Sequence, residues 1–243
     1  MIAMINVFNK YLLLLLIFIF TTTAETSPNI YNATYSLQKN GIEFARSKHS
    51  SMYNADSDEW CLKIDSYTVG IFSIKKDNQS ETSCFYYDKK KHLENSNKNS
   101  LVNNFVKTNN YTFTRSTSDG NQFIEIRRIN NQLVTSRNGK TIKHSLDINV
   151  DRLVAQLFGY TFSSVLVNDK GREREYTFEI LGKDTISSPF GLTEVLIVKK
   201  SIDQSKRSTI TWYSIENNYI PIMIEQYRLD KLMVTAKLIR LEQ

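Results

Sequence analysis

Asp147, Asn149 and Asp151 stand at the one-three-five spacing that opens a calcium loop, where alternate side-chain oxygens converge on one ion. Such a loop also needs a glycine at its sixth position and a bidentate glutamate at its twelfth. Arg152 and Phe158 stand there instead, so the calcium reading fails and Asp147 or Asn149 reads better as a helix cap. His49, His92 and His144 lie far apart with no paired ligand spacing, so no metal site is expected and each histidine is assigned to the surface. Glu173 and Glu175 share one face of a strand and could exchange protons with a substrate. They alternate with Arg172 and Arg174 just after a turn, however, which is the pattern of a charged strand facing solvent. There is no Gly-x-Ser-x-Gly nucleophile elbow and no glycine-rich phosphate loop. No catalytic residue, metal or cofactor is expected.

The remaining reactive groups are two cysteines, and their chemistry depends on compartment. The N-terminus carries Lys10, an apolar run from Tyr11 to Phe20, and then Thr21-Thr22-Thr23-Ala24, small residues suited to a signal-peptidase site after Ala24. Residues 1–24 read as a cleaved secretory signal. An apolar run this short covers only part of the ~20 residues a helix needs to span a bilayer, so a permanent anchor is the weaker reading. Residues 25–243 are then expected to form one β-rich domain in the periplasm or outside the cell. In that oxidising space Cys61 and Cys84, each in a strand-like segment, are expected to pair; the alternative is two buried thiols.

Export removes nucleic acid from the possible partners. Cleavage loses one basic residue of 31 and leaves a modest excess over 25 acidic ones, dispersed along the chain. The one dense run, Lys89-Lys90-Lys91-His92, opens an asparagine-rich stretch and reads as a solvated loop. A membrane surface stays possible as a partner, without spanning. Sequons at Asn32, Asn78 and Asn110 matter only in a host that glycosylates.

The elements that must position these residues are mostly strands. Apolar and polar residues alternate over Tyr31–Leu37, Tyr67–Ile74, Tyr111–Thr117, Gln122–Ile129 and Gln132–Ser136. Asp119-Gly120, Asn138-Gly139 and Asp169-Lys170-Gly171 supply hairpin turns between such runs. Four further strands follow, Leu192–Ile202, Ser208–Ile215, Pro221–Leu229 and Leu232–Leu241, with turns near Asp203-Gln204-Ser205, Glu216-Asn217-Asn218 and Asp230-Lys231. One segment breaks the rhythm: Val150, Leu153, Val154, Leu157 and Phe158 have helical spacing, predicting a short amphipathic helix over about 149–158 that must bury its stripe against the sheet. The fold class is mainly β, an antiparallel meander forming a curved or barrel-like sheet with that one helix.

Asp151-Arg152-Leu153, Tyr176-Thr177-Phe178, Gly182, Phe190-Gly191-Leu192, Trp212 and Tyr219-Ile220-Pro221, in this order, resemble a bacterial envelope family, the domain of unknown function (DUF) 3108. The resemblance takes in Tyr35–Gly41 and most of the chain after the leader. Ala45 stands where relatives often carry a second glycine, and Val154 where serine is expected. The resemblance implies an envelope location and a β-rich fold, not a reaction.

These readings leave a non-catalytic envelope protein. In the first version a curved sheet carries an apolar, lipid-like ligand against Trp212, Tyr227, Phe158 and Leu157, with the helix as plug. In the alternative the core is solid and the protein is an envelope assembly or interaction module. A wall or glycan hydrolase is the least supported.

Overall fold

A computed structural model describes residues 28–95, 105–203 and 205–242. The expected leader, residues 1–24, lies outside the described residues, as does Gln204 of one expected turn. Eight strands run up and down in chain order: β1 (Tyr31–Lys39), β2 (Ile42–Asn54), β3 (Glu59–Thr68), β4 (Asp77–Tyr87), β5 (Val106–Thr117), β6 (Gly120–Ile129), β7 (Gln132–Arg137) and β8 (Lys140–Lys143). Seven more complete the sheet: β9 (Val150–Asp151), β10 (Ser164–Asp169), β11 (Arg172–Ser188), β12 (Gly191–Ile202), β13 (Arg207–Ser214), β14 (Ile220–Arg228) and β15 (Lys231–Glu242). β15 returns to pair with β1, so the halves join in the middle of one 15-stranded sheet whose edges are β8 and β9. Every pairing is antiparallel except β9 with β10. The expected curved meander is present, and its backbone ladder stays open.

Turn chemistry explains the short reversals. Asn40-Gly41, Asn138-Gly139 and Lys170-Gly171 all take positive φ, the conformation that two-residue hairpin turns demand. At Gly171 (φ +85°) a side chain would also meet Thr135 of β7 at 2.9 Å, so the β10–β11 turn lies directly against the other half of the sheet.

The core lies between the two halves. Val106, Ile124, Ile126 and Leu133 from the first half meet Val165, Val167, Tyr176 and Ile222 from the second, all buried. α1 (Lys89–Asn95) and α2 (Arg152–Leu157) are the described α-helices. The stripe Leu153, Val154 and Phe158 is buried, with α2 against β4, β9 and β10, as its spacing predicts.

Several expectations are corrected. The helix begins at Arg152, because Val150–Asp151 first pairs as a strand with β10. Its cap is Asp151, not Asp147 or Asn149: the Asp151 side chain accepts from the backbone N–H groups of Leu153 (2.7 Å) and Val154 (3.3 Å). The Lys89-Lys90-Lys91-His92 run is helical rather than a loop. Asp88 accepts from the Lys91 backbone N–H (3.0 Å), and the buried His92 ring stacks on Phe105 at 4.6 Å, which anchors a short helix of poor intrinsic stability. His144 is buried too, its Nε2 2.8 Å from Thr135 Oγ1. Tyr67–Ile74 is not one strand, since β3 ends at Thr68 and Gly70–Ile74 is a 3-10 turn at the sheet's end.

Cys61 and Cys84 form a disulfide. They face each other directly across β3 and β4 with Cα atoms 4.1 Å apart, close to the ~4.5 Å of a non-hydrogen-bonded antiparallel pair. Thiol titration of the denatured, unreduced protein is expected to find no reactive thiol, and replacing both cysteines by serine to lower stability by about 2–4 kcal/mol. Two titrating thiols would contradict the bridge.

Candidate anion-binding cleft

Two adjacent residues join the halves of the sheet and create the site. Asp151, fully buried, accepts from Ser83 Oγ of β4 (2.5 Å) and Thr108 Oγ1 of β5 (2.8 Å) while capping α2. Its own N–H donates to Thr108 Oγ1 at 2.9 Å. Burial pushes the Asp151 carboxyl up, and the hydrogen bonds from Ser83, Thr108 and the helix N-terminus oppose that. Asn149 does not cap; its carbonyl accepts from Thr108 N (2.9 Å) and Arg128 Nη2 (2.9 Å), closing the same seam.

Arg152 points the other way along the seam. Its guanidinium donates to the buried Glu81 of β4, which also accepts from Tyr111 (2.9 Å) and pairs with Lys170 (3.2 Å). Asp169 lies 3.6 Å from Arg152 and 3.5 Å from Arg174. Burial alone would raise the Glu81 carboxyl, but the Arg152 and Lys170 charges outweigh it and hold the group below the usual carboxylate range. Lys170 also sits over the Phe113 ring at 3.4 Å.

Beyond this pairing opens a cleft of about 390 Å³ between β6–β7 of one half and β10–β14 of the other, with Arg152 and Gln156 of α2 at its base. Its walls carry Arg137, Arg152, Lys170, Arg172, Arg174, Lys200 and Arg207 against one carboxylate, Asp169. Strand alternation supplies two of these cations: Arg172, Arg174 and Tyr176 share the inner face of β11, while Glu173 and Glu175 share the outer. The glutamates thus keep their expected solvent-facing position, Glu173 bonded to the Ser145 N–H (2.9 Å) and Glu175 to Ser164 Oγ (2.6 Å). The arginines of the same strand line the cleft instead, Arg174 half-buried and Arg172 at its exposed end.

Lys200 is the unusual member. The residue is only 8% exposed, its ammonium lies over the Tyr176 ring at 4.8 Å, and no carboxylate pairs with it among the described residues. Burial, then the nearby Arg152 charge, push its ammonium down from 10.5 to about 8, with Asp169 and Glu81 pulling weakly upward. Arg137, Arg172 and Arg207 likewise have no ion-pair partner among the described residues. Like charges facing one another across low-dielectric walls repel, and they focus a positive potential on whatever enters between them.

Comparison with known proteins adds little here. No protein-family model and no curated protein matches the chain. Solved structures similar to it include two bacterial proteins. A candidate lipoprotein of Parabacteroides distasonis is 12% identical over 88% of this chain and 96% of its own, with TM-score 0.35. A candidate exported protein with a YmcC-like fold from Bacteroides fragilis is 10% identical over 88% of this chain and 94% of its own, with TM-score 0.34.

Of the four residues assigned to an apolar ligand, Leu157 and Phe158 share one small crevice, while Trp212 and Tyr227 lie elsewhere. Phe158 is core, stacked on Tyr87 at 5.5 Å and edge-on to Phe85 and Phe105. Leu157 lines a crevice of only about 20 Å³ beside Tyr31, Tyr160 and Pro221. Trp212 is half-buried and aligned with Ile197 and Met223 across the ladders, on the face opposite Thr211, Val198 and Ile224. Tyr227 alone reaches the cleft, at its rim, where its hydroxyl donates to Glu225 (2.5 Å). Among the described residues, no three His, Cys, Asp or Glu side chains could hold a metal ion.

Glu81 is the neutralising centre of this site, so Glu81→Gln leaves Arg152 and Lys170 buried with less compensation. The expected loss is about 3–5 kcal/mol at neutral pH. With its folded pKa lowered, Glu81 contributes stability that is present above its ordinary 4.5 and fades as pH falls through the lower folded value. Denaturant melts at pH 7 and pH 3 check this: the variant's deficit should shrink in acid, and an equal deficit at both pH values would contradict it.

Proposed function

We propose that this is a non-catalytic protein of the cell envelope that holds an anionic ligand, carrying phosphate or clustered carboxylates, in the cleft beneath Lys200. The observation that carries the reading is a buried lysine without a carboxylate partner, aimed into a cavity that five arginines and Lys170 also line. A folded chain gains nothing from such crowding by itself, since an unpaired buried cation is destabilising. A ligand that brings negative charge would complete the pairing, and planar guanidinium forks suit phosphate and carboxylate oxygens.

Envelope placement is supported by two features: the leader-like Lys10, Tyr11–Phe20 and Ala24 pattern, and a disulfide, which persists in oxidising compartments. An apolar ligand has less support, because Phe158 is packed in the core, Leu157 lines only a small crevice, and the cleft that Tyr227 reaches is cationic. A strand-addition role has less support as well. The β8 edge is exposed along its length, but Lys140 and Lys143 put charge there, which discourages pairing with another strand.

Calorimetric titration with inorganic phosphate, pyrophosphate and glycerol phosphate tests the proposal. Saturable binding to at least one is expected, weakening as salt rises. Lys200→Gln should weaken it about tenfold or more, equivalent to about 1.4 kcal/mol. The wild-type affinity should also fall as pH rises through about 8, where Lys200 loses its proton. No saturable binding to any of the three, or equal binding by Lys200→Gln, would contradict the proposal.

A further inference from the structure

An up-and-down meander places alternate turns at the same end of its sheet. The 3-10 turn Gly70–Ile74 between β3 and β4, the β1–β2 turn at Asn40-Gly41 and the β14–β15 turn at Leu229-Asp230 therefore lie at one end. Since β3, β2, β1, β15 and β14 are consecutive neighbours in the sheet, these three turns form one rim. The rim is apolar at its tips. Ile74 is 90% exposed, Ile71 78%, Leu229 63% and Ile42 62%, with Phe72 also exposed. Scattered exposed apolar residues need no explanation, but bulky aliphatics gathered on consecutive turns mark a surface that meets something other than water.

The 3-10 turn is held in place rather than left to fold back. The Val69 N–H donates to Phe44 O at 3.0 Å, the Phe72 ring meets Phe44 edge-on at 6.4 Å, and Ser73 Oγ donates to Gly70 O at 2.7 Å. None of its residues is buried. Exposed lysines flank these tips: Lys75 and Lys76 directly after the turn, Lys39 before the β1–β2 turn, and Lys231 after Leu229. Of the nearby carboxylates, Asp77 is paired with Arg115 (2.7 Å) and Glu43 with Arg46 (3.0 Å). That leaves Asp230 as the rim acid without a cation partner among the described residues.

We infer that this end of the sheet docks onto an anionic bilayer surface, with Ile71, Phe72 and Ile74 entering the headgroup boundary and Lys39, Lys75, Lys76 and Lys231 meeting lipid phosphates. Charge complementarity selects this occupant. Aliphatic tips ringed by lysine are the pattern of interfacial binding, in which buried apolar area and attraction to anionic lipid add together. A second copy of the chain would bring the same lysines against these. No helix among the described residues is long and apolar enough to cross a membrane, so the contact is one of surface. Arg172, Lys170 and Arg207 of the cleft lie at strand ends on this same end of the sheet, yet the docking rim is a separate surface and does not depend on what the cleft holds.

Vesicle co-sedimentation of the full chain tests this, using phosphatidylcholine alone and phosphatidylcholine with phosphatidylglycerol. Any contribution from the Tyr11–Phe20 run should be similar on both, so the readout is the ratio of anionic to neutral binding. A ratio of about ten or more is expected, falling about tenfold in Lys75→Ala/Lys76→Ala, whereas Ile71→Ser/Ile74→Ser should weaken binding to both vesicles about tenfold. All four positions are exposed, so both variants should keep the parent's melting temperature. Lys200→Gln should keep the ratio. Equal binding to both vesicles, or tip variants that bind like the parent, would overturn the inference. So would a ratio lost only in Lys200→Gln, which would assign the lipid to the cleft. Light scattering without lipid should find the same mass for parent and Ile71→Ser/Ile74→Ser; a dimer lost in that variant would overturn the inference in favour of self-association.

Discussion

One buried carboxylate ties the two halves of this sheet together across its open seam. Asp151 bonds to β4 through Ser83, to β5 through Thr108 and to the first turn of α2 through two backbone N–H groups. The β1–β15 ladder joins the halves on one side, but β8 and β9, the sheet's two edges, do not pair with each other on the other. Side chains and one backbone bond, Thr108 N–H to Asn149 O (2.9 Å), close that gap, with Asn168 Nδ2 donating to Thr135 Oγ1 (3.1 Å) further along the seam. Such a junction is specific as well as cohesive. A carboxylate without its donors would be intolerable at this depth, so few packings of the two halves satisfy it.

The next residue converts that junction into a site. Asp151 faces the seam and Arg152 faces Glu81, so fixing one fixes the other. Glu81 and Asp169 then pair with Arg152, Lys170 and Arg174, two carboxylates against three cations, and the cations continue past these pairs into Lys200, Arg137, Arg172 and Arg207. The excess is local, unlike the mild and dispersed charge of the chain as a whole. Repulsion within it is set against the cohesion of the apolar core around Val150, Val167 and Ile124, which leaves stability to spare for an incomplete pairing. Places where a fold tolerates such unfavourable chemistry are where function is sought.

Much of the fold was legible because it rests on local pattern. Period-two alternation located β6 and β7, Asn-Gly and Lys-Gly turns fixed the hairpins, and the spacing from Val150 to Phe158 found the buried face of α2. The Cys61–Cys84 pairing was legible from compartment and strand context. The cap was misplaced because Asp147, Asn149 and Asp151 are equivalent as sequence; only the pairing of Val150–Asp151 with β10 decides among them. His92 and His144 looked superficial because burial of a histidine depends on partners distant in the chain, Phe105 and Thr135.

The site was far less legible. Its cations come from β7, α2, the β10–β11 turn, β11, β12 and β13, so no short window of sequence contains more than a few. One signal was present: Arg172 and Arg174 alternate with Glu173 and Glu175, and a strand with arginines on one face and glutamates on the other has two different surroundings. Lys200 gave none, since Lys199-Lys200 reads as an ordinary solvated pair until β12 turns the second lysine inward over Tyr176. The most direct measurement is therefore the ionisation of Lys200 itself, followed by NMR of its ammonium group with and without saturating pyrophosphate. A pKa of about 8 in the unliganded protein, rising when the anion binds, is the expected result; an ordinary value near 10.5 that does not respond to the anion would contradict the cleft as a binding site.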